Sequence, residues 1–277
     1  MTTTKTALVT GASSGIGEAT ALRLFDLGYV VYGAARRTGR LERLAAAGIQ
    51  PLTMDITDDQ SMDTAVKSVI AATGRIDVLV NNAGYGSYGA LEDVPLAEAR
   101  HQFEVNVFGT ARLTQLVLPH MRAQRSGTIV NVTSMGGKFY TPMGGWYHSS
   151  KFALEALSDC LRLEAKPFGV KVVVVEPGAI ETEWFGIAAD NLKKVSATGP
   201  YAKLAGAMVA MLDGDTDNRH NSPPSVIADA IGKAVTARRP KIRYVTGYAA
   251  RPLLLLRRIL PDRAFDALIT RVTGTRG

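Results

Sequence analysis

Tyr147 and Lys151 stand four residues apart in Tyr147-His-Ser-Ser-Lys151. The apolar positions that follow, Phe152, Ala153, Leu154, Ala156, Leu157 and Leu161, have helical spacing. Residues i and i+4 share a helix face, so a phenol and an ammonium become neighbours. A cation beside a phenol favours the phenolate and lowers its pKa from about 10. A phenol tuned in this way gives a proton to a carbonyl oxygen or takes one from an alcohol. Taken alone, the pair is also what a solvated Lys beside a half-buried Tyr would look like. It becomes chemistry only if the chain supplies a hydride and an oxygen to protonate.

The start of the chain offers the first of these. Thr6-Ala-Leu-Val-Thr10 reads as a buried strand and is followed by Gly11-Ala-Ser-Ser-Gly15-Ile-Gly17. A helical pattern (Ala19, Ala21, Leu22, Leu24, Phe25, Leu27) runs to Gly28, and Tyr29–Ala34 reads as a second strand. Strand, Gly-rich turn, helix, strand is a βαβ unit whose glycines let backbone approach a pyrophosphate at a helix N-terminus. The same turn reads Gly11-x-Ser13-x-Gly15, the nucleophile-elbow spacing of serine hydrolases. An elbow serine follows several strands, whereas one strand at most precedes Ser13. Where a dinucleotide fold places an acid for the ribose of NAD, this chain has Ala34-Ala-Arg36-Arg37. Two guanidiniums and no carboxylate favour a 2′-phosphate, hence NADP(H), over the alternative of a solvated basic loop.

The remaining elements alternate in the same way. A third strand runs from Ile49 to Met54, ending at Asp55, and Thr57-Asp-Asp59 caps a helix to Gly74. Asp77–Asn81 is a fourth strand, followed by the Gly-rich loop Asn82 to Gly89 at its carboxyl end. A long helix over 96–121 carries Asn106 at an apolar seam, which is costly unless the amide is bonded. Thr128–Val132 is a fifth strand ending at Thr133-Ser134, Val170–Val175 a sixth ending at Glu176-Pro177-Gly178, and Arg243–Thr246 a seventh. Residues 179–222 read as the longest stretch without sheet or packed helix, the usual form of a lid. The expected fold is α/β, a single doubly wound (Rossmann) domain over 1–250 with a seven-stranded parallel sheet and helices on both faces.

Together these motifs resemble the short-chain dehydrogenase/reductase family. The resemblance covers roughly residues 5–246 and rests on Thr10 to Gly17, Asp55, Asn81-Asn-Ala-Gly84, Asn106, Ser134, Tyr147-x-x-x-Lys151 and Pro177-Gly178. It implies a catalytic set of Asn106, Ser134, Tyr147 and Lys151. Gly11, Ser13, Ser14, Gly15, Ile16 and Gly17 would form the pyrophosphate turn. Arg36 or Arg37 would take the 2′-phosphate, with Asp55 and Ile56 at the adenine. Asn82, Ala83, Gly84 and Lys151 would meet the nicotinamide ribose, and Pro177, Gly178, Ile180 and Thr182 the carboxamide. Ser134 would hold the substrate oxygen, and Asn106 a water linking Lys151 to solvent. Chemically, a hydride arriving at a carbonyl carbon leaves charge on oxygen, which a hydroxyl and a proton donor stabilise. No metal is required, and the four histidines are scattered. His148 lies about 100° around the helix from Tyr147 and is given no catalytic role.

The loops facing the expected pocket are aromatic and apolar: Tyr85, Tyr88, Phe139, Tyr140, Pro142, Met143, Trp146, Trp184 and Phe185. Lys138 is the one cation among them, which favours a bulky lipophilic ketone or alcohol, steroid- or retinoid-like within the family. The net charge of +7 is concentrated in residues 238–277, which hold ten Lys/Arg and two Asp/Glu. The near-neutral remainder argues against nucleic acid as a partner. A single cysteine, Cys160, reads as a small core residue and fits a reducing, cytoplasmic compartment. No apolar run approaches a membrane span. Residues 251–277 read as two short amphipathic helices, with Pro252 and Pro261 at first positions, that dock on the protein or lie on a membrane surface. The family commonly pairs its two long helices across subunits, which implies a homodimer or homotetramer. The competing readings are a catalytically idle NADP-binding regulator on the same fold and a hydrolase built on Ser13.

Overall fold

The computed structural model describes residues 4–36, 38–216 and 221–275. β1 (Thr6–Thr10) leads into α1 (Gly15–Asp26), and β2 (Val30–Ala35) into the short α2 (Glu42–Ala46). β3 (Gln50–Thr53) precedes α3 (Asp59–Thr73), and β4 (Val78–Asn81) precedes α4 (Leu96–Phe103) and α5 (Thr110–Gln124). β5 (Gly127–Val132), α6 (Gly145–Ala165) and β6 (Val170–Pro177) follow. The last third holds α7 (Trp184–Ser196), α8 (Ala202–Thr216), α9 (Ser225–Thr236), β7 (Arg243–Thr246), α10 (Ala250–Ile259) and α11 (Asp262–Val272). The seven strands make one parallel sheet in the order β3-β2-β1-β4-β5-β6-β7. The winding reverses between β1 and β4, which opens a crevice at their carboxyl ends.

Strand pleating sends alternate side chains to opposite faces. Ala7 and Val9 of β1 join a core with Ala21 and Leu24 of α1 and Ile227 and Ile231 of α9. Leu8 joins the other core, with Met62, Val66 and Val69 of α3 and Leu113, Val117 and Met121 of α5. Both faces are therefore covered, as the near-continuous apolar strands require. α3 begins and ends where its sequence signals lie: Asp58 accepts a hydrogen bond from Ser61 N at 3.0 Å, and Gly74 closes the helix at φ 70°.

Four details differ from the sequence expectation. The long helix is interrupted by a wider π-turn over Glu104–Gly109, centred on Asn106. The close approach of Gly109 explains why the turn must pass there: a Cβ on it would lie 2.2 Å from the Ile56 carbonyl oxygen. Residues 179–222 form α7 and α8, packed through Ala188, Ala189 and Leu192 against Ala205, Met208 and Leu212. The amphipathic pattern is faint in α8, where small alanines make the contact, although α7 carries a clear apolar face. Cys160 is exposed on α6 and lies outside the core. The tail does form two helices, with Pro252 third in α10 and Pro261 just before α11. Both prolines sit where a helix N–H has no internal acceptor. Among the described residues, no helix is long and apolar enough to cross a membrane.

Candidate active site

The turn after β1 is tied to the loop after β4. Thr10 Oγ1 accepts from the backbone N–H groups of Asn82 and Ala83, each at 3.0 Å. Asn82 Nδ2 returns bonds to the carbonyls of Thr10 (3.0 Å) and Gly11 (3.3 Å). A Cβ on Gly17 would stand 2.1 Å from Gly11 O, so only glycine lets α1 press this close. Gly11 and Gly15 take left-handed φ values of 64° and 55°. Ser14 is the N-cap residue of α1, and its side chain makes no cap bond. The first N–H groups of that helix therefore face the crevice, a ready site for an anion.

The crevice is a cavity of about 1020 Å³. Its lining brings together Gly11, Ser13, Ser14, Gly15, Ile16, Arg36, Asp55, Ile56, Asn82, Ala83, Gly84, Pro177, Gly178, Ile180 and Thr182. Ser134, Tyr147 and Lys151 share the same cavity, with Tyr85, Phe139, Trp184 and Phe185. Gly17 lies behind the turn. Asn106, Tyr140 and Met143 also stand outside the lining: Tyr140 donates to Asp266 at 2.9 Å, and Met143 is buried in the small core under α7. Arg37 lies outside the described residues. Asp55 Oδ1 accepts from Thr57 N at 2.9 Å and Thr57 Oγ1 at 2.8 Å, which hold its carboxyl below the usual range against burial.

Tyr147 and Lys151 lie in α6, 7% exposed each. Burial pushes the Tyr147 phenol up to about 12, and a hydrogen bond with Ser134 opposes that rise. Burial pulls Lys151 down to about 8, against the charge of Glu155 one turn along. The phenol thus moves opposite to the expectation from its neighbouring cation, because burial disfavours the phenolate and pulls Lys151 down as well. Lys151 Nζ donates to Val132 O at 3.2 Å. Ser134 Oγ accepts from Gly136 N at 2.9 Å, which fixes its rotamer at the end of β5.

Asn106 finds its partners in protein groups. Its Oδ1 accepts from Tyr85 N (3.1 Å), and its Nδ2 donates to Tyr85 O (3.0 Å) and Ser150 Oγ (3.0 Å). The amide ties the Tyr85 backbone to Ser150 of α6, one residue from Lys151. The outcome explains a polar residue at an apolar seam, and the π-turn is what aims it inward.

Three groups carry more of the site than their sequence signals indicate. His148 lines the cavity: Thr141 N donates to its Nε2 at 3.0 Å, so Nδ1 carries the proton and donates to Gly136 O at 2.8 Å. Burial pulls its pKa down to about 4 and keeps it neutral. Glu155 and Glu176, 3% and 1% exposed, meet a cluster of cations behind Ser134. Lys138 pairs with Glu155 at 2.9 Å, and Arg243 reaches Glu155 (3.1 Å), Asp159 (2.6 Å) and Glu176 (3.1 Å). Thr133 Oγ1 also donates to Glu155 at 2.6 Å. Finally, Leu253, Leu256, Leu268 and Ile269 of α10 and α11 form part of the cavity wall, a tertiary contact that no local pattern specifies.

The comparisons agree with this geometry. The family model for short chain dehydrogenases matches residues 5–192. A 3-ketodihydrosphingosine reductase of Bacteroides thetaiotaomicron is 37% identical over 241 residues, covering 87% of each chain. An NADPH-dependent 3-dehydrocapnine reductase of Ornithobacterium rhinotracheale is 35% identical over 274 residues, covering 95% of each. A crystal structure of a short-chain dehydrogenase from Streptomyces avermitilis superposes with a TM-score of 0.82 at 36% identity, over 100% of both chains. A parallel sheet wound about a glycine cradle, matched by relatives over nearly its whole length, places this chain in the short-chain dehydrogenase/reductase family of nicotinamide-dependent oxidoreductases.

Proposed function

We propose that this protein is an NADP(H)-dependent reductase of a bulky lipophilic ketone, with Tyr147 as the proton donor. The observation that carries the reading is one continuous cavity, with an anion cradle at one end, Ser134, Tyr147 and Lys151 in the middle, and apolar walls beyond. The residues fit the cofactor. Glycines admit backbone at Gly11 and Gly17, free helix N–H groups stand at α1, and a Cβ on Gly84 would crowd Asn106 Oδ1 at 3.0 Å. Exposed Arg36 closes the end of β2 where an acid would reject a 2′-phosphate. When bound, the nicotinamide supplies the hydride.

The chain's own residues would do the rest. Ser134 holds the ketone oxygen, and Tyr147 hands it a proton as charge develops there. A phenol held near 12 stays protonated at neutral pH, ready for reduction. Lys151 and the Asn82–Gly84 backbone position the ribose side of the cofactor, and Asn106 keeps that backbone in register with α6. Trp184 and Tyr88 pack at 5.0 Å and 5.8 Å from the Tyr147 ring, which excludes water from the proton donor. The two ketone reductases among the relatives, one of them NADPH-dependent by name, support the direction and the cofactor. Steroid- or retinoid-like compounds and long-chain ketones both suit the apolar walls beyond Tyr147.

The test is loss of NADPH absorbance with a panel of ketones of increasing length. Wild type turns over the lipophilic members, and Tyr147→Phe falls by roughly a hundred- to ten-thousand-fold. Activity that survives this substitution, or hydrolysis that depends on Ser13, ends the reading. Arg36→Ala should raise the KM for NADPH and leave that for NADH unchanged; equal effects would refute the NADP assignment. Exposed Phe108 of the π-turn and Phe152, Leu157 and Leu163 of α6 support pairing of two copies across the 96–124 helix and α6, which sedimentation of wild type against Phe152→Ser checks.

A further inference from the structure

The outer face of the terminal helix pair has no part in the proposed reaction. α10 exposes a single stripe, Arg251, Leu255, Arg258 and Ile259, with Leu255 59% and Ile259 64% accessible. Spacings of four, seven and eight residues put these side chains on one side of the helix. α11 adds exposed Arg263 and Arg271. Both acids of the pair are engaged: Asp262 with Arg257 at 2.9 Å, and Asp266 with the Tyr140 hydroxyl at 2.9 Å. Among the described residues, Arg258, Arg263 and Arg271 have no carboxylate partner. The face is therefore apolar and cationic together.

The inner face of the same pair is the cavity wall. Leu253, Leu256, Leu268 and Ile269 line the space, and Val272, 66% exposed, lines it too and so stands at its rim. The pair is fastened through Phe265 and Ile269 against Phe139 and through Arg257 stacked 5.5 Å over Tyr140. One thin layer of helix thus separates the lipophilic cavity from an outer surface of leucine, isoleucine and arginine.

We propose that α10 and α11 seat this protein on an anionic bilayer surface, and that the cavity draws its lipophilic ketone from that surface. The second half rests on the ketone-reductase reading; the docking does not. Arginines at headgroup level meet lipid phosphates, while Leu255 and Ile259 enter the acyl boundary. Charge complementarity selects this occupant over a second copy, because a two-fold contact would set these arginines against their own counterparts.

The experiment is flotation of the full-length protein with phosphatidylcholine vesicles, with and without phosphatidylglycerol. Wild type floats with the anionic vesicles at low salt and is released at high salt. Each arginine contributes roughly five-fold to partition, so Arg258→Gln with Arg263→Gln lowers it roughly twenty-five-fold. Leu255→Ser with Ile259→Ser also releases the protein, and Arg258→Lys with Arg263→Lys keeps it bound, which separates docking from folding. None of these side chains lines the cavity, so turnover of a small water-soluble ketone stays unchanged in all variants. No flotation, equal flotation with neutral vesicles, or undiminished flotation of the serine and glutamine variants overturns the proposal. A self-association lost in the serine variant, without flotation, assigns the face to a second copy and also overturns it. Flotation with no ketone turned over sinks the reductase reading alone.

Discussion

Single residues set the protonation states of the site, and burial rather than pairing dominates them. His148 shows the effect most plainly. It titrates at about 4 when folded and near 6.5 otherwise. Between those values the unfolded chain binds more protons, so stability falls as pH drops through the window, by up to roughly 3 kcal/mol. Glu176 works the other way. Burial and Glu155 raise it to about 7, so its contribution is present at low pH and is lost as pH rises from 4.5 to 7. The two slopes oppose each other in the wild type. His148→Gln removes the first, so urea midpoints of this variant gain on the wild type as pH falls from 6.5 to 4.5; parallel curves would refute the assignment. The sequence made Tyr147, Lys151 and Ser134 legible because their motif is local. His148 was passed over because helical angle alone hides a side chain that turns back to Gly136 and Thr141.

At the scale of elements, the Glu104–Gly109 turn does the positioning. One wider turn rotates Asn106 toward Tyr85 and Ser150 and lets Gly109 pass the Ile56 carbonyl. Gly109→Ala should cost about 1–3 kcal/mol through overpacking. It should also lower kcat more than it raises the KM for NADPH, since Asn106 shifts beside Lys151. Thermal melting and steady-state rates check both; a neutral substitution on both counts removes the turn from the machinery. Strand and helix order could be read from apolar periodicity and caps, Asp58 and Gly74 being clear cases. The π-turn and the α7–α8 pair could not. The first depends on one backbone crossing, and the second on α8, whose alanine contacts are too small to mark a stripe.

Across the whole molecule, Arg243 joins the last strand to the middle of the chain. It pairs with Glu155 and Asp159 of α6 and Glu176 of β6, its own side chain 28% exposed. Arg243→Met leaves Glu176 buried without its ion-pair partner, while Lys138 still meets Glu155, and should cost about 3–5 kcal/mol at neutral pH. The loss should shrink as pH falls through 7 toward 5, because Glu176 then takes a proton in the native state. Denaturant titrations at the two pH values measure it, and a pH-independent loss would show the cluster to be ordinary packing.

The wall that α10 and α11 give the cavity has a consequence for how this protein can change. The residues proposed to react, Ser134, Tyr147 and Lys151, fall between 134 and 151, whereas the walls built by α7, α8, α10 and α11 come after residue 180. The stretch matched by the family model stops at residue 192, before most of that wall begins. On the proposed function, inherited variation in the last third of the chain can therefore reshape what is admitted while Ser134, Tyr147 and Lys151 stay untouched. Exchanging residues 250–275 between relatives should move chain-length preference and preserve the response to Tyr147→Phe, so that selectivity and chemistry behave as separately heritable traits of one polypeptide.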